Sequence, residues 1–269
     1  MLGAIIGDIV GSRFEWNNNK SKEFEFFAKN CFVTDDSVMT LAIGHALLAS
    51  DGQYDKLGEK AVKAMREIGQ NYPLCGYGGR FRTWLYSPDP RPYHSHGNGA
   101  AMRVSPCGLV AKTLEEAQLL SRLVTEVTHN HPEGLKGAEA TATCVFLAKI
   151  GWDKLAIYDY VRKNYYPLDF DLDSIRGSYK FNETCEQTVP QALEAFFESQ
   201  SFEDAIRGAI SIGGDSDTLG AITGSVAGAY YGIPKDFAQT ALTYLDDQLT
   251  KLLHAFLVVH NAKIINPDG

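Results

Sequence analysis

Two rows of glycines constrain the fold of this chain more than any other feature of its sequence. Gly3, Gly7 and Gly11 lie four residues apart near the start of the chain. The second row, with the same spacing, lies late in the chain: Gly220, Gly224, Gly228 and Gly232. On an α-helix this spacing places the glycines along one face. Each glycine costs about 1 kcal/mol of helix propensity relative to alanine. Close backbone packing would offset that cost, so we predict that the two helices cross in the core.

Helical periodicity dominates the remaining sequence. Apolar residues at steps of three and four predict helices over residues 119–127, 135–146, 202–210 and 242–256. Strand signals are confined to two short segments, Glu23–Phe27 and Cys31–Val33, which are too few for a sheet. The longest stretches without periodicity are residues 71–98 and 167–182. Since composition shifts nowhere along the chain, we predict one all-α domain spanning residues 1–269.

Charge and cysteine usage exclude several classes of protein. The formal net charge is −8 and no basic cluster is present, which argues against nucleic-acid binding. The apolar segment 219–232 falls short of the ~20 residues that a membrane span needs. The five cysteines form no C-x-x-C pair, which argues against a disulfide framework and a structural zinc site. Asp8 interrupts the apolar start, so it makes a poor secretory signal, and we expect a cytoplasmic monomer.

Two acidic clusters each precede a predicted helix. The first is Thr34-Asp35-Asp36-Ser37, and the second is Gly213-Gly214-Asp215-Ser216-Asp217-Thr218. Capping is the simplest interpretation, because Thr, Ser and Asp are favoured at helix N-termini. Capping needs one oxygen acceptor, however, and each cluster offers two carboxylates. If the clusters converge, four carboxylates must take up protons or bind cations. An all-oxygen set suits two Mg²⁺ or Mn²⁺ ions.

Other polar segments admit two interpretations each. The pairs His94/His96 and His129/His131 could bind zinc, but the H-x-H pattern needs a strand to point both rings one way. Residues 97–103 open with small residues, and their backbone N–H groups could hold phosphate or form a plain turn. Arg103 is either a phosphate ligand or a structural ion pair. Glu15 becomes a candidate general base if its helix lies beside the acidic clusters.

Taken together, these segments resemble the ADP-ribosylglycohydrolase family. The matching motifs occur in the family's order through most of the chain, from residue 3 to about residue 232. They are Gly7-Asp8-x-x-Gly11-x-x-x-Glu15, Thr34-Asp35-Asp36-Ser37, Gly97 through Arg103, Thr128-His129-x-His131-Pro132 and Gly214-Asp215-Ser216-Asp217-Thr218. Serine replaces the usual threonine at positions 37 and 216, which keeps the hydroxyl group.

The resemblance implies a fold, a metal centre and a set of site residues. The implied fold is an orthogonal helical bundle with two Mg²⁺ or Mn²⁺ ions where helix N-termini converge. The implied metal ligands are Thr34, Asp35, Asp36, Asp215, Asp217 and Thr218. The implied catalytic residues are Glu15, Asp36 and Asp215. The implied ADP-ribose-binding residues are Ser95, His96, Gly97, Asn98, Gly99, Met102, His129, Gly214 and Ser216.

The resemblance also implies an activity, the hydrolytic removal of ADP-ribose from an acceptor. ADP-ribosylated arginine on protein is the expected substrate, with serine-linked or small-molecule ADP-ribose conjugates as alternatives. A non-catalytic ADP-ribose-binding or crystallin-like structural protein is the alternative of a different class. The acid set argues against that alternative, because buried carboxylates that repel one another are costly to retain without a use.

Overall fold

A computed structural model describes residues 1–260, which form fourteen α-helices around one hydrophobic core. The helices are α1 (Leu2–Gly11), α2 (Asp35–Ser50), α3 (Leu57–Gly69), α4 (Gly79–Tyr86), α5 (Ser105–Val110), α6 (Leu114–Thr125), α7 (Pro132–Lys149), α8 (Lys154–Asn164), α9 (Leu172–Arg176), α10 (Cys185–Glu198), α11 (Phe202–Ile210), α12 (Ser216–Tyr231), α13 (Lys235–Leu242) and α14 (Asp247–His260). Within residues 1–260 there is no strand, only an isolated bridge between Gly97 and Thr184. The predicted all-α class is confirmed.

The predicted crossing of the two glycine-rich helices is confirmed. A Cβ atom added at Gly7 would lie within 3.0 Å of the carbonyl oxygen of Gly220, closer than real Cβ atoms approach. The same holds for Gly3 against the carbonyl oxygen of Gly224. All of α1 is buried, and so is α12 from its first residue to Gly228. The glycines therefore let two backbones touch at the centre of the core.

The crossing is antiparallel, and this places the predicted site. Gly11, at the end of α1, lies against the backbone of Ser216, at the beginning of α12. The chain just after α1, which carries Glu15, therefore lies beside the acidic cluster that precedes α12. One member of the second glycine row was wrongly assigned. Gly232 follows α12 with φ of 78° and ends the helix instead of packing against α1.

The other helix predictions were partly right. The periodic segments 119–127, 135–146 and 202–210 coincide with α6, α7 and α11. The segment 242–256 is two helices, because the Asp246 carboxylate accepts a hydrogen bond from the backbone N–H of Leu249 and starts α14. The stretches predicted to be irregular contain α4 and α9. Residues 97–103 do not open a helix; they form a 3₁₀ turn over Asn98–Ala100.

The described residues also bear on the predictions about the cysteines, membrane spans and the extent of the domain. All five cysteines are free thiols. No helix within residues 1–260 has the length and apolar character needed to cross a membrane. The predicted single domain was drawn to residue 269, and its last nine residues lie outside the described part of the chain.

Candidate active site

A cavity of about 220 Å³ opens where the beginnings of α2 and α12 meet the chain that follows α1. Most of the residues singled out in the sequence line it. They are Glu15, Asp35, Asp36, Ser95, Gly97, Asn98, Gly99, Met102, His129, Asp215, Asp217 and Thr218. The antiparallel crossing of α1 and α12 is what brings residues from both ends of the sequence to this one cavity.

Four of the singled-out residues do not line the cavity. Thr34 is buried behind it, at the N-cap of α2. The imidazole Nδ1 of His96 lies 3.0 Å from a carboxylate oxygen of Glu186. Gly214 adopts φ of 83° in the turn before α12, and Ser216 is fully buried in the first turn of that helix. Of these four, Thr34 still lies beside the acidic clusters, because its hydroxyl oxygen is 3.4 Å from a carboxylate oxygen of Asp36.

The N-terminus of α2 is held by Asp8, which the sequence analysis did not assign to the site. Asp8 is fully buried, and its carboxylate accepts hydrogen bonds from the backbone N–H groups of Thr34 and Ser37, both at 3.1 Å. It also accepts from both hydroxyl groups, at 2.7 Å for Thr34. Burial, followed by the charge of Asp217, raises the pKa of Asp8 to about 7. An acidic residue inside an otherwise apolar helix was the signal for this role.

The N-terminus of α12 is built differently. Asp215 occupies the N-cap position, but its side chain makes no capping hydrogen bond. Its carboxylate instead accepts a 2.7 Å hydrogen bond from the side-chain amide of Asn98. Carboxylate oxygens of Glu15, Asp215 and Asp217 all lie within 4.8 Å of one another. The Asp215 carboxylate of the motif is thus directed away from the helix, whereas the Asp217 carboxylate lines the cavity and also accepts a 3.0 Å hydrogen bond from the backbone N–H of Thr218.

The two acidic clusters meet through Asp36. One of its carboxylate oxygens accepts a 3.3 Å hydrogen bond from the Thr218 hydroxyl. The other oxygen is buried and has no hydrogen-bond partner. A buried oxygen without a partner is costly in an apolar setting. Here Asp36 lines the cavity together with five further carboxylate residues: Glu15, Asp35, Glu183, Asp215 and Asp217. This observation fits a ligand that accepts oxygen lone pairs, such as a hard divalent cation.

Burial and mutual repulsion dominate the electrostatics of the site. Burial, followed by the charge of Asp217, raises the pKa of Asp35, Asp36 and Asp215 well above 3.8. The same two causes raise the pKa of Glu15 to about 7, and the neighbouring Trp16 side chain acts against them. Carboxylates in this setting need protons or cations. Within residues 1–260, no histidine joins a comparable group of ligand atoms, which argues against the zinc alternative.

A buried arginine that lines the cavity determines which ring nitrogen of His129 carries the proton. The Arg103 guanidinium donates a 2.6 Å hydrogen bond to the Thr128 hydroxyl, whose oxygen lies 2.7 Å from Nδ1 of His129. Because the guanidinium can only donate, the hydroxyl hydrogen is free to point at Nδ1. The proton of the ring is then on Nε2, which faces Gly97 and Gly99. Burial lowers the pKa of His129 well below 6.5, so the ring is a neutral donor.

Arg103 does not form the structural ion pair considered as an alternative. Among residues 1–260 it pairs with no carboxylate, and its Nε atom is buried without a partner. Burial lowers its pKa to about 10. Its guanidinium instead lies over the Phe81 ring, 5.7 Å from the centroid. The cavity is therefore lined by a buried cationic residue as well as by acidic ones.

Tyr93 and Glu183, which the sequence does not mark, lie at the rim together with Arg80. Arg80 places its guanidinium 4.9 Å from the ring centroid of Tyr93, and both line the cavity. Glu183 lines it from the segment before α10, where its carbonyl oxygen accepts a 2.7 Å hydrogen bond from the Asn98 backbone. Nothing in the spacing of these residues marks them. Their place in the site depends on loops whose path the sequence leaves open.

Comparison with known proteins agrees with this geometry. A family model described as ADP-ribosylglycohydrolase matches residues 1–263. Mouse ADP-ribosylhydrolase ARH3 is 24% identical, over 94% of this chain and 90% of its own length. The ADP-ribosyl-[dinitrogen reductase] glycohydrolase of Rhodospirillum rubrum is 28% identical, over 86% and 84%. A solved ADP-ribosylglycohydrolase-related protein complex superposes with a TM-score of 0.69 at 25% identity, over 96% and 95%.

A further relative carries an acceptor in its name. The ADP-ribosylarginine hydrolase Tri1 of Pseudomonas putida is 26% identical, over 87% of this chain and 70% of its own length.

Proposed function

The chain belongs to the ADP-ribosylglycohydrolase family and is a glycohydrolase, and from that premise we propose that it releases ADP-ribose from modified arginine on proteins. One observation carries the proposal. The carboxylate oxygens of Glu15, Asp215 and Asp217 lie within 4.8 Å of one another, in the same cavity as the unpartnered oxygen of Asp36. The name of the Pseudomonas relative supports arginine as the acceptor.

The acidic clusters are the proposed site of two divalent cations, Mg²⁺ or Mn²⁺. The proposed ligands are Thr34, Asp35, Asp36, Asp215, Asp217 and Thr218. When bound, such ions neutralise the repelling carboxylates and polarise the oxygens of a substrate or water. Asp8 and Asn98 support this set, because they fix Thr34 and Asp215 respectively through hydrogen bonds. Groups that orient ligands in this way commonly change metal affinity by about 10–100-fold when removed.

ADP-ribose would occupy the part of the cavity that is lined by Ser95 to Gly99, Met102 and His129. We place its phosphates against the turn from Ser95 to Gly99, because Ser95, Gly97, Asn98 and Gly99 all line the cavity. His129 would donate from Nε2 to the ribose that carries the acceptor. Met102 supplies an apolar contact in the same part of the cavity. This arrangement would leave the anomeric carbon of that ribose facing Glu15, Asp36 and Asp215.

The proposed reaction breaks the bond between the anomeric carbon and the acceptor nitrogen, and forms one from that carbon to a water oxygen. Glu15 is the proposed general base and takes a proton from the attacking water on a carboxylate oxygen. It then returns the proton to the departing nitrogen, so the products are ADP-ribose and the protein with its arginine side chain unmodified. Asp36 and Asp215 would hold negative charge beside the anomeric carbon, where positive charge develops in the transition state.

The test is release of ADP-ribose from an arginine-ADP-ribosylated protein, with Mg²⁺, with Mn²⁺ and after chelation. We expect release that needs the cation and that falls at least about a hundredfold in Asp215→Ala and Asp217→Ala. Full activity of the chelated protein would contradict the metal centre. Activity on serine-linked or small-molecule conjugates but not on the arginine conjugate would contradict the acceptor while preserving the reaction class.

A further inference from the structure

An exposed tryptophan follows the proposed base directly in the chain, beside a residue that lines the cavity. Trp16 is 78% exposed, whereas Trp84 is buried and Trp152 lies elsewhere, at the beginning of α8. Its ring stacks on Phe181, with ring centroids 5.0 Å apart and planes 23° apart. Trp16 directly follows Glu15 in the chain. A large aromatic surface is thus held in solvent where burial would be expected.

The two segments that carry these rings are fastened to the site. The Asn18 side chain donates to the carbonyl oxygens of Glu15 and Gly214 and accepts from the backbone N–H of Gly214. On the other side, Asn98 donates its backbone N–H to Glu183 and its side-chain amide to Asp215. Both segments are therefore bonded to residues at the start of α12, which fixes the aromatic pair relative to the carboxylates.

The charge beside the aromatic pair is negative and unpaired. Glu15 and Glu183 both line the cavity, and neither forms an ion pair with another residue in the part of the chain that the structure describes. Glu183 is exposed at the rim, two residues after Phe181. An acidic rim repels the pyrophosphate of ADP-ribose and attracts a cation. The rim therefore favours a ligand that is both planar and positively charged.

We propose that Trp16, Phe181 and Glu183 form the acceptor subsite, which binds the guanidinium group of the modified arginine. This inference rests on the proposed function, because it is the acceptor that leaves from the anomeric carbon beside Glu15. A guanidinium is planar, stacks on aromatic faces and pairs with carboxylates through its fork of N–H groups. Adenine is also planar, but it is uncharged and lies at the far end of ADP-ribose, away from Glu15.

The first test compares substrates with the whole protein and three variants. Trp16→Ala and Glu183→Gln should each raise KM for an arginine-ADP-ribosylated peptide by about 3–30-fold, the range of a partly desolvated cation–π contact. Trp16→Phe keeps an aromatic face and should largely restore KM. The affinity for free ADP-ribose should stay within about twofold in all three. Trp152→Ala is the matched control, a partly exposed tryptophan against Tyr160 and remote from the cavity.

Two outcomes would overturn the subsite. If Trp16→Ala weakened the binding of free ADP-ribose as much as that of the peptide, the aromatic pair would be a binding site for adenine. If KM for the arginine-ADP-ribosylated peptide were unchanged in both Trp16→Ala and Glu183→Gln, these residues would not form the acceptor subsite.

A second measurement separates this inference from the proposed activity. The NMR signal of the Trp16 indole N–H, assigned by comparison with Trp16→Phe, should shift when arginine amide is added to protein saturated with ADP-ribose and Mg²⁺. Glutamine amide, of similar length but uncharged, should leave the signal in place. A shift without any hydrolysis of the arginine conjugate would keep the subsite and reject the activity. Hydrolysis without a shift would keep the activity and reject the subsite.

Discussion

The helix N-termini of α2 and α12 have similar sequences but use them differently. At α2 the hydroxyl of Thr34 accepts a hydrogen bond from the backbone N–H of Asp36 and caps the helix, while Asp8 secures the same turn from α1. At α12 the N-cap residue Asp215 makes no capping hydrogen bond and bonds to Asn98 instead. Both patterns would be read as caps from composition alone, yet only one of them is.

This difference shows how the site obtains its carboxylates. Where hydroxyls and a neighbouring buried acid satisfy the helix, the adjacent aspartates are free to face the cavity. Where the N-cap aspartate makes no capping hydrogen bond, as at α12, its carboxylate bonds to Asn98 and lines the cavity. In both cases the helix N-terminus also supplies a favourable partial positive charge to the anions beside it. Substitutions on the two sides should therefore have different consequences, and the following predictions would test or refine that contrast.

The largest effect is expected where the two N-termini are brought together. Gly7→Ala adds a Cβ that overlaps the Gly220 carbonyl oxygen, and neither backbone can move without opening the core. We expect loss of the cooperative thermal transition, measured by circular dichroism. Gly177→Ala is the matched control, because nothing lies within 4 Å of its added Cβ and its φ is −72°. A cooperative, native-like Gly7→Ala would contradict the close crossing.

The next largest effect should come from the acid that secures α2. Asp8→Ala leaves the buried backbone N–H groups of Thr34 and Ser37 without an acceptor, at about 1–3 kcal/mol each. Relief of a buried charge offsets part of this loss, so we expect unfolding free energy to fall by about 2–5 kcal/mol in urea titrations. Unchanged stability would mean that water or a relaxed helix end replaces Asp8.

A smaller pair of changes compares the caps directly. Thr34→Ala should lower the free energy of unfolding by about 1 kcal/mol, because a capping hydrogen bond is lost. Asp215→Asn should leave or raise the stability of chelated protein, because it removes a charge from a repelling group. Adding Mg²⁺ should raise the melting temperature of the wild type more than that of Asp215→Asn. Equal losses for both variants in chelator would show that Asp215 is a cap after all.

The smallest effect concerns a buried acid outside both clusters. Burial, followed by the charge of Glu198, raises the pKa of Glu194 from 4.5 to about 7. Between those pH values the folded state holds more protons than the unfolded state, so its contribution to stability falls as pH rises. Glu194→Gln should remove this loss, and its melting temperature should exceed that of the wild type at pH 8 but not at pH 4.5. Because Glu194 is not among the residues lining the cavity, Mg²⁺ should not change the difference.

The sequence predicts the core helices of this protein better than the loop residues at the rim of the cavity. Glycine spacing predicts the crossing of α1 and α12 because only a close approach explains so many glycines on one face. It cannot show that Gly232 ends the helix, because the spacing of residues gives no information about the backbone angle φ. Polar residues such as Asn18 and Glu183 look like ordinary loop residues, because their partners are distant in the sequence. Their role depends on loop paths that the core determines.

The crossing of α1 and α12 has a consequence for how the chain is made. About 210 residues separate Gly7 from Gly220, so a ribosome adding roughly 5–20 residues per second needs about 10–40 seconds to supply the partner of α1. Until then Leu2, Ile5, Ile6 and Ile9, all buried in the finished protein, lack their main partner helix. Contacts of such long range form late and slowly. A nascent chain of this protein is therefore expected to be a substrate for chaperones that bind exposed apolar helices.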